Sequence, residues 1–106
     1  MSSRCTVLAR FYVLTCSFDE FLQAVKAVVP ALKNCPGFES AQLLAKEDQS
    51  EVATITTWKD RASYDALQAN PAVIEAGIEL FNLVQSGAVD MQIEVYRTID
   101  SVQAEG

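Results

Sequence analysis

The chain has 106 residues, half of them hydrophobic, with 14 acidic against 8 basic side chains and a net charge of −6. That length holds one domain, and it contains no stretch of 18 apolar residues that would suggest a membrane span. The basic residues (Arg4, Arg10, Lys26, Lys33, Lys46, Lys59, Arg61 and Arg97) form no run, which argues against a nucleic-acid partner or an anionic membrane surface, since both attract clustered cations.

Residues 5–14 predict a strand rich in Val, Leu, Phe and Tyr. Val7, Ala9, Phe11 and Val13 fall on one face and Thr6, Leu8, Arg10, Tyr12 and Leu14 on the other, so both faces carry apolar groups and both are expected to meet something. Ser17 and Glu20 form an S-x-x-E capping box. Phe18, Phe21, Leu22, Val25, Val28, Val29 and Leu32 then recur at helical spacing. Pro30 removes a hydrogen bond late in that helix and predicts a kink or a frayed last turn. Asn34, Cys35, Pro36 and Gly37 end it.

Two further strands follow over residues 38–46 and 51–58, joined by the polar hairpin of Glu47, Asp48, Gln49 and Ser50. Asp60 is placed to cap a helix running to about Gln68. Asn70 and Pro71 predict an N-cap with proline at the first helical position, and the helix is expected to continue through Ile74, Ile78, Phe81 and Val84 until Ser86 and Gly87 stop it. Val89, Met91, Ile93 and Val95 alternate with Asp90, Gln92, Glu94 and Tyr96 in the clearest strand pattern of the chain. The expectation is a single domain over residues 1–106, with a core of about 5–98 and a polar tail over 99–106.

The order β-α-β-β-α-β predicts an α+β, ferredoxin-like fold: a four-stranded antiparallel sheet with the helices on one face. The other face would be bare, yet it would carry residues such as Leu8, Tyr12, Leu44 and Trp58 or their alternates. Packing it against the same face of a second copy is the expected solution and gives a dimeric α/β barrel. The opening residues lack the apolar region and cleavage site of a signal peptide. Cys5, Cys16 and Cys35 fit no CxxC spacing, so free thiols in the cytoplasm are expected.

Pro36, Gly37 and Phe38, the hairpin, and the run from Ala53 through Trp58 and Tyr64 to Gln68 resemble the antibiotic biosynthesis monooxygenase domain. The resemblance spans roughly residues 5–98 in element order, and its specific part is the Pro-Gly before the second strand, the tryptophan ending the third and the helix after it. It implies a homodimer with a pocket in each protomer, between sheet and helices. It also implies oxidation of electron-rich aromatics such as anthrones and quinols by O2, with no flavin, haem or metal. Trp58 matches the tryptophan of the family, and Tyr64, six residues later, matches a pocket tyrosine of its quinone-forming members. Gln68 stands where many members have histidine, and Thr54 where the quinone-forming type has asparagine. The chain has no histidine at all, so the usual base is missing and haem ligation by imidazole is excluded.

Each candidate has a functional and a packing reading. Trp58 either walls an aromatic pocket or fills the core where strand meets helix. Tyr64 exchanges a proton with a phenolic substrate, provided its pKa is lowered, or packs without chemistry. Gln68 hydrogen-bonds a substrate carbonyl or is an ordinary polar helix residue; it is no general base. Arg10 and Tyr12 either grip an anionic substrate or pair at a dimer interface. Phe81 and Asn82 are the remaining candidates for the pocket wall. No ligand set for a metal is evident, no glycine run cradles phosphate, and no cofactor is expected. Two functions stand side by side: a cofactor-independent monooxygenase acting on a small electron-rich aromatic, and a non-catalytic dimeric binding or stress-associated module of the same fold.

Overall fold

Side chains alternate across a strand, so the pairing register decides which residues meet the helices. In the computed structural model, which describes residues 3–104, β1 (Cys5–Val13) runs down the middle of a four-stranded antiparallel sheet. β3 (Glu51–Trp58) and β4 (Val89–Arg97) flank it, and β2 (Phe38–Ala45) pairs with β3, giving the order β2-β3-β1-β4. Cys5 lies opposite both Trp58 and Arg97. Cys5, Val7, Ala9 and Phe11 are buried under the helices, whereas Thr6, Leu8, Arg10 and Tyr12 are only half-buried on the other face.

The helices form where the capping signals lie. The Ser17 hydroxyl accepts the Glu20 N–H at 3.0 Å and opens α1 (Phe18–Leu32), which buries Phe21, Ala24, Val25 and Leu32. Pro30 sits in the last turn and starts no new element. Asp60 accepts from the Ser63 amide and hydroxyl at 2.8 and 2.7 Å to cap α2 (Arg61–Ala66), which passes into a single 3-10 turn, Leu67–Ala69. Asn70 caps α3 (Pro71–Ala76) by accepting from the Ala72 and Val73 amides. All helices lie on one face of the sheet, an α+β ferredoxin-like arrangement.

Three particulars differ from the sequence expectation. The helix after Pro71 is two helices, α3 and α4 (Ile78–Gln85), bent at Gly77. A Cβ there would meet the Val73 carbonyl at 3.3 Å and a Val28 methyl at 3.8 Å, so the glycine lets the chain turn close against α1. Second, Trp58 is on the helix side, fully enclosed, while Leu8, Tyr12 and Leu44 are on the bare face. Third, the helices cover only the start of β4: of its helix-side residues only Val89 is buried, and Ile93 is 47% exposed. The readings of residues 1–2 and 105–106 lie outside the described residues.

Gly37 is the joint between β2 and α2. Its φ is +82°, its carbonyl accepts the Lys59 N–H at 2.7 Å, and a Cβ would overlap the Ser63 side chain that Asp60 holds. Left-handed backbone costs about 1–2 kcal/mol for other residues, and the overlap adds to it. Gly37→Ala is therefore expected to lower the unfolding free energy by more than about 1 kcal/mol, read from the urea midpoint at unchanged m-value; an unshifted midpoint refutes this account of the Pro-Gly pair.

Candidate functional site

β3 sends Val52, Thr54, Thr56 and Trp58 to the helix side, so two hydroxyls and an indole stand in a row on an otherwise apolar face. The Trp58 indole N–H donates to Thr56 Oγ1 at 2.9 Å, which satisfies a polar group that is otherwise enclosed. The Phe38 and Tyr64 rings both meet Trp58 edge-on, with centroids 5.4 and 6.1 Å away. With Cys5, Val7, Leu32, Cys35 and Val73 these rings make a packed cluster.

Burial raises the Tyr64 pKa, and the guanidinium of Arg61, 5.8 Å from the ring centroid, offsets this only in part. Tyr64 therefore holds its proton at neutral pH, and the lowered pKa that a proton-transfer role requires is not met.

A cavity of about 350 Å3 opens beside this cluster, between α1 and the sheet. Val25, Val29 and Leu32 of α1, Leu43 of β2 and Leu80 of α4 supply its apolar wall, Thr54 and Thr56 its polar points, and Lys26 and Gln42 its exposed rim. Neither Trp58 nor Tyr64 lines it; Trp58 reaches it only through Thr56.

The seven residues singled out from sequence are thus dispersed. Trp58 and Tyr64 are together in the packed cluster. Arg10 and Tyr12 lie on the bare face, where Arg10 pairs with Glu94 at 3.0 Å. Gln68 is exposed in the 3-10 turn, and Phe81 (61% exposed) and Asn82 are on the outer side of α4. The cavity-facing Thr56 was not among them. Its signal was present in the two threonines at alternate, core-facing places of an otherwise apolar strand.

A sequence model of the family described as antibiotic biosynthesis monooxygenase matches residues 4–77. In fold the chain is similar to the cofactor-independent oxygenase SnoaB from Streptomyces nogalater, with 17% identity, TM-score 0.81, and coverage of 97% of this chain and 100% of that one. It is also similar to Rv0793 from Mycobacterium tuberculosis (17% identity, TM-score 0.75, 95% and 100% covered). A third likeness is a conserved protein from Methanosarcina mazei Go1 (20%, 0.74, 91% and 93%). No curated protein matches in sequence.

The Tyr64 environment sets a pH test. Its pKa is raised from 10.0 in the fold, so the protonated ring contributes stability below pH 10 that is lost as pH rises from there through the folded-state value. The stability difference between the wild type and Tyr64→Phe is expected to be constant from pH 7 to 9 and to shift in favour of the phenylalanine above about pH 10. Parallel denaturation midpoints across that range would contradict the burial argument.

Proposed function

The chain belongs to the antibiotic biosynthesis monooxygenase family, and from that premise we propose that it takes a small, electron-rich aromatic of quinol or anthrone type into the cavity between α1 and the sheet and oxidises it with O2. The observation that carries this reading is the cavity itself. Its volume of about 350 Å3 is in the range of small-molecule sites, and its wall is apolar with few polar groups. Because Thr56 Oγ1 already accepts from the indole, its own O–H is the group left to offer, so the site presents a donor to a substrate oxygen. Thr54 adds a second hydroxyl, and the Lys26 ammonium at the rim favours an anionic substrate oxygen.

The chemistry needs little from the protein. A phenolate or enolate passes one electron to O2; recombination at carbon forms a C–O bond, and loss of water leaves the carbonyl product. In the anthrone case a CH2 and O2 become C=O and H2O. The hydroxyls would hold the developing anion, and the walls would exclude water. Tyr64 and Trp58 would act as the rigid backing of the site, through Thr56.

A second reading is favoured by two specific facts: no histidine exists in the chain, and Tyr64 is not in the cavity wall. On that reading the same cavity binds its aromatic without turning it over. For either, the bare face centred on Leu8, Ile55 and Leu44 would be covered by the same face of a second copy. The three free cysteines fit a reducing cytoplasm.

Oxygen uptake with a panel of anthrones and quinols separates the readings. A hydrogen bond to an ionised oxygen is worth about 1.5–3 kcal/mol, so Thr54→Val and Thr56→Val are each expected to slow uptake about tenfold or more. Val29→Trp, which fills the cavity, is expected to abolish it, and Tyr64→Phe to change it little. Saturable binding of the same aromatics without uptake would establish the binding module instead. Neither binding nor uptake, or uptake insensitive to Val29→Trp, would remove the cavity from the function. Solution mass tests the dimer separately: a monomer at working concentration refutes the covered face.

A further inference from the structure

A second cavity, of about 430 Å3, opens where the start of β1, the end of β4 and the start of α2 meet. Three of the eight basic residues of a chain with net charge −6 line it: Arg4, Arg61 and Arg97. They come from three separate stretches of the chain, brought to one place because Cys5 is registered opposite both Trp58 and Arg97.

Two of these arginines are already paired. Glu39 takes Arg4 at Nε, 3.0 Å away, and Asp65 takes Arg61 at Nε, 2.9 Å away. Both pairs are on exposed side chains and lie at the inner nitrogen of the guanidinium. Arg97 forms no ion pair among the described residues. An arginine fork matches the two oxygens of a carboxylate.

Asp60 also lines the cavity, but its Oδ1 is occupied by the Ser63 amide and hydroxyl. Cys5 and Val95 provide an apolar floor. We propose that this cavity is a binding site for a small organic carboxylate, its anionic end held by Arg97 with Arg4 and Arg61 and its apolar body resting on Cys5 and Val95. The site is separate from the cavity beneath α1 and does not depend on the oxygenase reading.

Benzoate serves as the probe, followed by amide chemical shifts of the full chain and by the fluorescence of Trp58, the sole tryptophan, which lies beside Tyr64 under Arg61. Saturable shifts are expected at Cys5, Arg61, Ala62 and Arg97, with benzamide, the neutral isostere, giving none. Arg97→Gln is expected to weaken binding at least tenfold and Arg4→Gln to weaken it by a smaller factor. Lys46→Gln removes the same charge from the hairpin at the far end of β3 and is expected to leave affinity unchanged. Stronger saturation by phenyl phosphate than by benzoate would replace the carboxylate with a phosphate monoester and overturn the ligand class. Equal shifts with benzamide, equal losses in Arg97→Gln and Lys46→Gln, or no saturation by about 10 mM, well above the Kd of a millimolar ligand, would each overturn the site.

Discussion

The helix side of this molecule follows from one register, Cys5 opposite Trp58 across the β1–β3 ladder. Strand side chains have a period of two, so a slip of β3 by one residue would send Trp58, Thr56 and Thr54 to the bare face and bring Ile55 and Thr57 under the helices. The enclosed indole resists that slip. An aromatic of this size removes about 150–250 Å2 from water, worth roughly 4–6 kcal/mol in area terms before entropy is subtracted. Its N–H is matched by Thr56 two residues earlier on the same strand. The same register brings Arg97 beside Cys5, so the packed cluster, the apolar cavity and the arginine-lined cavity share one origin.

Trp58 and Tyr64 are coupled to the apolar cavity without entering it. Thr56 joins the two regions, with its oxygen turned to the indole and its residue in the cavity wall. A rigid aromatic cluster behind a row of hydroxyls is a way to fix donor positions from one flank, since β3 cannot shift without disturbing Phe38 and Tyr64. Polar groups are few in that wall, and none of them is a strong base. Reactivity in such a site would have to come from the bound molecule.

Local signals made most of the fold legible. Alternation in β1 and β4, the caps Ser17, Asp60 and Asn70, and the breaker Gly37 each act within a few residues of themselves, and the elements begin where those residues stand. The site was less legible because helix tilt is not written in any one segment. Ile74, Ile78 and Phe81 have core-like spacing, yet all three are exposed on the outer side of α3 and α4. Met91 and Ile93 alternate as a buried face should, yet the helices cover β4 only at Val89. Arg10 and Tyr12 were correctly read as sharing a face, but which face meets the cavity depends on where α1 crosses. Thr54 was noticed only as a departure from the family pattern, whereas its place beside Thr56 in the cavity wall needed the β3 register.

The strand order has a consequence for how the chain acquires its structure. Only β2 and β3 are joined by a short hairpin; β1 finds its partners at Trp58 and Arg97, far along the chain. Closing such long loops costs entropy before any contact rewards it, and non-local pairing slows folding. During synthesis β1 is made first, yet its second edge stays unsatisfied until β4 has left the ribosome, almost the whole chain later. In the interval Leu8, Phe11 and Tyr12 sit on an open strand. The central strand of the sheet is therefore the first to be made and the last to be completed.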